Sequence, residues 1–371
     1  MNTLKITVIV FFSSLLTLLL WLILQADPKG GEPAHVVVLD RSAIEVAEKY
    51  RKILNESEKK VLKYSGKPVD GKFPRLPRPD AAGLNKGDKK EGQKEFSQVM
   101  APVPVKALVE KSRFGPLPKI SGDGRKSFEV YARPFNLALK PKPGEPKRIA
   151  LLITGLGLSA LTTHGAIHKL PGPITLSFGP YGNNLQGWVR KARQLGHEVM
   201  LEVPLEPYDY PENDPGPHTL LTSLAKEENI NRLQWVMGRF TGYTGVTNAM
   251  GEKFLTSGES LLPIFQELHR RGLAYFEDGG GTRSEASKLA RNVGMGFGEA
   301  DVKLDSVKIE ADIQAKLSRL VEIANKRGYA IGVGSSLPLT IELVEKWSQS
   351  LRQKNIILVP LSAVMKSYQP S

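Results

Sequence analysis

Four acidic residues, Glu202, Glu206, Asp278 and Asp305, stand at or just past the ends of apolar runs in a chain of 371 residues. Carboxylates gathered at strand ends can serve as general acid and base, or hold a hard cation through oxygen. Thr154, Asn248, Glu252 and Glu277 occupy comparable places. A single strand-end polar residue can equally cap the next helix. Taken as a set, these residues predict a polar cleft.

Other chemistries fail on the residues themselves. The stretch LLITGLGLSA, 151–160, breaks from an apolar run into Gly-x-Gly-x-x-Ala, as a strand does when it turns into a helix. A dinucleotide site would need an acid about 20 residues further on to hold the ribose. From Ile149 through His197 there is no Asp or Glu. No Gly-Lys-Ser/Thr follows the turn, and neither Gly-x-Ser-x-Gly nor His-Glu-x-x-His occurs. With no cysteine, disulfides, thiolate metal sites and cysteine nucleophiles are excluded. His164 and His168 have i, i+4 spacing but no third ligand nearby. His197 and His269 fall in helix-to-strand connections, which leaves His218, after the third strand, as the histidine nearest the predicted site.

The elements that must position the acids begin at residue 148. Strand-like runs over 149–154, 174–179, 198–204, 243–249, 273–279, 301–306, 329–335 and 356–362 alternate with helical periodicity. Helices are expected over Asn229 to Phe240, Ser257 to Arg271, Ser284 to Asn292, Ile309 to Arg327 and Leu339 to Lys354. Arg271-Gly272 and Arg327-Gly328 are helix stops. Strands apolar on both faces and separated by helices imply a parallel sheet, with its site at the C-terminal strand ends.

The N-terminal part differs in character. Ile6 to Leu24 is nineteen residues without a charge, preceded by Lys5, and matches the ~20 residues that span a bilayer. Leu24-Gln25-Ala26 is a poor cleavage site, so residues 1–28 are expected to be an uncleaved single-pass anchor. The charge ahead of the run leaves the C-terminal domain outside. From Lys29 to Arg148 there are 27 Lys/Arg against 15 Asp/Glu, a balance of +12 within a whole-chain +13. Residues 29–112 are expected to form a basic tether, with a short amphipathic helix over 42–64 and a Pro/Gly/Lys-rich, unordered stretch after it. Few aromatics interleave the charge, which argues against nucleic acid and for a solvated linker or attraction to anionic lipid. Residues 113–147 are expected to dock as an extended arm on the domain at 148–366.

IALLITGLG, LPGPITLSFGPYG, GHEVMLEVPLEPYDYPENDPGPHTL, GYTGVTNAMGEKF and LAYFEDGGGTRSEA follow one another in an order that resembles the divergent polysaccharide deacetylase family, relatives of the NodB-type deacetylases. The resemblance covers about the last 220 residues. It implies α/β architecture, a distorted (β/α) barrel of about seven units, and a place in carbohydrate metabolism. It also implies a metal site with paired aspartates after the first strand and a histidine in Asn-His-Met-Gly. Here Thr154-Gly155 and Ala249 stand at those places, and Glu202 stands where the third-strand motif often has a histidine.

Metal-assisted hydrolysis needs ligands for the ion and a base for its water. Thr, Gly and Ala supply neither. Two readings remain, and the residues favour the first. In one, a membrane-anchored envelope protein without a cofactor, the C-terminal domain in the periplasm and the anchor in a bacterial inner membrane, binds glycan or a partner. Its cleft would be lined by Tyr181, Trp188, Tyr208, Tyr210, Asn248 and Arg283. In the other, Glu202, Glu206, Asp278 and Asp305 take over acid and base roles in a glycan hydrolase or deacetylase, with a divalent cation such as zinc as the alternative cofactor.

Overall fold

The computed structural model of the chain describes residues 100–135, 141–279, 281 and 283–365. The expected anchor, the helix over 42–64 and most of the tether lie outside them. No helix among the described residues is long and apolar enough to cross a membrane.

The N-terminal part of the described chain is a hairpin, β1 (Val109–Ser112) and β2 (Gly115–Pro118), followed by a one-turn helix α1 (Ser127–Val130). The sequence boundary at 112 therefore falls inside an ordered hairpin, and the arm is not simply extended. Composition could not reveal this, because what holds the hairpin is remote in sequence. Leu108 and Leu117 are buried, and Glu110 pairs with Arg271.

The remainder alternates β3 (Lys147–Leu156), α2 (Ala160–Lys169), β4 (Thr175–Phe178), α3 (Leu185–Gln194), β5 (Val199–Leu205), α4 (Lys226–Met237), β6 (Gly245–Met250), α5 (Gly258–Arg270), β7 (Ala274–Glu277), α6 (Ala286–Val293), β8 (Phe297–Glu299), β9 (Val302–Lys303), α7 (Glu310–Arg327), β10 (Tyr329–Ser335), α8 (Pro338–Ser350) and β11 (Ile356–Val359). Helix α3 is absent from the sequence-based set. Its basic residues and glycine mask an apolar stripe of Leu185, Val189 and Ala192, which is buried. His269 lies in the last turn of α5 rather than in a connection. Gly328 ends α7 with φ of 93°, a left-handed cap that glycine adopts without a Cβ penalty.

All nine strands of the main sheet are parallel; eight follow the order β8-β7-β6-β5-β4-β3-β10-β9, and the ninth, β11, pairs with β3. β3 gives one edge to β10 and divides the other between β11 and β4. The short segment 297–303 pairs first with β7 and then with β10, so it brings the sheet's two edges together without a ladder between β8 and β9. The result is a barrel-like parallel α/β sheet, open at that seam.

The central strands β3 to β7 bury both faces along most of their length. Leu151, Ile153, Leu176, Phe178, Leu201, Val246 and Tyr275 pack outward on the helices. Ala150, Leu152, Met200, Ala274, Phe276, Ile331 and Val333 face inward. Leu361, Val364 and Met365 join the inner cluster, and Ser362 donates to the buried Glu198 near the start of β5. The inner face is thus plugged at the N-terminal strand ends. Its polar residues collect at the opposite mouth.

Candidate functional site

Side chains alternate along a strand, so the inner apolar residues fix which later residues face the mouth. Beyond Leu152, Met200 and Val333 the same face continues to Thr154, Glu202 and Ser335. Beyond Phe276 it reaches Asp278. Ser177 and Thr247 lie on that face too, because their strand neighbours pack outward, and Thr247 is in register with Glu202. β9 adds Lys303, in register with Val333.

Glu202 is the buried acid of this group. Its Oε1 accepts the Gly155 backbone N–H at 2.6 Å, which ties β5 to the turn after β3. The Ser177 hydroxyl approaches the carboxyl without completing a well-formed hydrogen bond. Burial pushes the Glu202 pKa up to about 7, the nearby Asp278 adds to the rise, and Gly155 and Ser177 moderate it. Such a group can exchange a proton near neutral pH.

Asp278 is fully engaged. One carboxyl oxygen accepts from Asn248 Nδ2 at 2.8 Å and the other from Lys303 Nζ at 2.9 Å. Its backbone N–H donates to Asn248 Oδ1 at 3.1 Å. Asn248 Nδ2 also donates to the Met250 carbonyl at 2.8 Å, and Met250 has a left-handed φ of 59°. That conformation is unfavourable for a residue with a Cβ and persists where surroundings hold it. Asn248→Ala should therefore lower stability by about 1–3 kcal/mol, the cost of leaving buried polar groups unpaired. Chemical denaturation would test it, and an unchanged midpoint would contradict the pinning role.

Glu202 and Asp278 thus share the mouth, with Asn248 of β6 bonded to Asp278, while Glu206 and Asp305 are held by loop and strand-end donors. Glu206 accepts from Thr222 N and Oγ1, each at 2.7 Å, and from Lys253 Nζ at 2.8 Å. Burial raises its pKa, but the Lys253 and Thr222 donors outweigh that and hold it below the ordinary value. Asp305 accepts from Ser335 N and Thr340 Oγ1, each at 2.8 Å, and from the Ser335 hydroxyl. Both residues brace loops. Glu277, one position from Asp278, lies on the outer face. There it accepts from Ser284 Oγ at 2.9 Å, and burial pushes its pKa up to about 7.

The expected aromatic lining divides. Tyr208 is exposed on the rim, and its hydroxyl accepts from Arg283 Nη2 at 3.3 Å. Tyr181 instead accepts from the His218 backbone N–H at 3.0 Å, its ring 5.8 Å from Trp235, and His218 stacks on Trp235 at 3.5 Å. This cluster locks the loop after β5, because side chains with flat faces fill it and Gly216 leaves the space Tyr181 needs. Trp188 packs on the outer core.

Lys303 was missed from sequence because a lysine in a short strand reads as solvated. The available signal was its spacing of two from Asp305, which puts both on one strand face. The donor set does not fit the metal implied by the family resemblance. Among the described residues no group of three or more His, Asp or Glu gathers to hold an ion. Thr154, Gly155 and Ala249 offer no replacement, and Asn248 and Lys303 already occupy Asp278.

A model of the divergent polysaccharide deacetylase family matches residues 151–365. The crystal structure of an uncharacterized protein from Agrobacterium tumefaciens C58 is similar, with 40% identity and a TM-score of 0.64, covering 67% of this chain and 99% of that one. The uncharacterized protein YibQ of Escherichia coli strain K12 is 23% identical over 222 residues, 60% of this chain and 68% of YibQ. An uncharacterized protein of Haemophilus influenzae is 21% identical over 205 residues, 55% of this chain and 72% of its own length.

Proposed function

This chain belongs to the divergent polysaccharide deacetylase family, and we propose that within it the protein binds glycan at the barrel mouth without metal-dependent hydrolysis. The observation that carries this reading is the engagement of Asp278 by Asn248 and Lys303. The Lys303 ammonium group stands against Asp278, and no metal-ligand set surrounds it among the described residues. Lys303, with its side chain 45% exposed, is available to hydroxyl or carbonyl oxygens of a sugar. Tyr208 and Arg283 offer a stacking face and a planar donor on the rim. The apolar run at 6–24 would anchor the protein in a bacterial inner membrane with this domain in the periplasm.

One observation favours a second, catalytic reading. A glutamate whose pKa is near 7 can take a proton from water. Lys303 would then stabilise the developing oxyanion. The full chain incubated with acetylated polysaccharide separates the two readings. Binding without acetate release, with or without added zinc, is expected, and Tyr208→Ala should weaken it about tenfold, the scale of one aromatic contact. Acetate release that Glu202→Ala abolishes would establish the catalytic reading instead.

A further inference from the structure

Glu202 stands on β5 between two hydroxyls from the neighbouring strands, Ser177 of β4 and Thr247 of β6. Both side chains are fully buried on the inner face, and neither hydroxyl has a hydrogen-bond partner. The Gly155 N–H completes a hydrogen bond to Oε1 of Glu202, and no donor completes one to Oε2 among the described residues. The other acids near the mouth are committed, Asp278 to Asn248 and Lys303, and Asp305 to Ser335 and Thr340. Thr154 on β3 and Ser335 on β10 add hydroxyls without charge. Glu202 is thus the acid left with accepting capacity to spare. The loops around it share its sign. From 206 through 225 there are four acids and no Lys or Arg. Over all the loops and strand ends on this side there are eight acids against four basic residues, and Lys253 and Lys303 are already paired. Such a rim concentrates cations.

A ligand hydroxyl or carbonyl would be served as well by glutamine, which offers a donor and an acceptor and does not ionise. What a carboxylate adds for binding is charge, and its complement is a cation. A metal ion is a poor fit, because no group of three or more His, Asp or Glu gathers among the described residues. A primary ammonium group needs no such set. It brings three N–H donors, and its charge offsets what burial costs the carboxylate. The unpartnered hydroxyls can turn their O–H groups toward the carboxyl as it ionises, which supports the charged form from behind. We propose that the mouth selects a glycan bearing a free primary amine over its N-acylated counterpart, with the ammonium group donating to Glu202. The proposal rests on the glycan-binding reading given above and names the class of glycan.

The full chain would be titrated calorimetrically at neutral pH with a glucosamine oligomer and with the same oligomer fully N-acetylated. The amine-bearing oligomer should bind about tenfold tighter, the scale of one charge-assisted hydrogen bond. Glu202→Gln leaves every rim acid in place and should shrink that preference to about twofold or less. Retained binding of the acetylated oligomer shows that the variant is folded. In the wild type, affinity for the amine-bearing oligomer should fall on the acid side of neutrality, where Glu202 takes up its proton. Ser177→Ala removes a group that holds this carboxyl down, so the fall should begin at higher pH. A fall that Ser177→Ala leaves in place would mean that another group titrates, and would overturn the proposal. Equal affinity for the two oligomers, tighter binding of the acetylated one, or a preference that survives Glu202→Gln would overturn it too and leave glycan binding standing. Binding of neither oligomer would overturn both.

Discussion

Glu202→Gln should make the protein about 3 kcal/mol more stable at pH 8 and change it by about 1 kcal/mol at pH 5. The sign follows from the direction of the shift. Burial and the neighbouring Asp278 raise the folded-state pKa from 4.5 to about 7. Below 4.5 the carboxyl is protonated in both states, and its full contribution to stability is present. Between 4.5 and 7 the unfolded chain ionises while the folded one resists, so stability falls by about 1.4 kcal/mol per pH unit. Above 7 the loss is complete. Glutamine retains an oxygen for the Gly155 N–H and cannot ionise, so it escapes this loss. Denaturant unfolding at the two pH values measures the difference. A variant less stable than wild type at pH 8 would mean that Glu202 is held as a carboxylate. An acid kept at the mouth despite this cost points to use of the group, since stability alone would favour the amide.

Arg271→Ala should lower stability by about 3–5 kcal/mol, the cost of removing one partner from a buried ion pair. Arg271 is 3% exposed, donates from Nε to Glu267 at 2.6 Å, and from Nη1 to Glu110 at 2.7 Å and the Pro118 carbonyl at 2.8 Å. One guanidinium therefore joins the end of α5 to both strands of the β1-β2 hairpin. Alanine leaves Glu267 largely buried, with Arg270 and Gln234 as its remaining donors. Protease susceptibility of residues 109–118, together with a denaturation curve, would report the loss. A drop of less than about 1 kcal/mol with an intact hairpin would show that the hairpin is held by Leu108 and Leu117 instead.

Residue type and local period carried much of what is known here. The run of two-faced strands between helices marked a parallel sheet because burial on both faces requires an unbroken apolar pattern. Gly272 and Gly328 marked helix ends because a left-handed cap excludes most side chains, and φ is 71° and 93° at the two positions. Thr154, Gly155 and Ala249 stand where the family resemblance implies metal ligands, and their side chains carry neither carboxylate nor imidazole. These properties belong to single residues or to neighbours on one strand or helix.

Partner choice was decided by the tertiary structure. Four acids looked equivalent, yet Glu206 closes on Thr222 and Lys253, and Asp305 on Ser335 and Thr340. Burial raises the Glu202 pKa toward neutrality, while the Lys253 and Thr222 donors hold that of Glu206 below its ordinary value. Tyr181 and Tyr208 looked alike, and one is walled in beside His218 and Trp235 while the other stands on the rim. Lys303 reaches Asp278 across 25 residues of sequence because closure of the sheet brings β9 round toward β7. The sequence by itself determined the strand and helix pattern, the family, and the residue types at Thr154, Gly155 and Ala249, where the family resemblance implies metal ligands. Which carboxylate remains poised, and which cation meets Asp278, depended on desolvation and on donors from distant strands, quantities that exist once the chain has closed on itself.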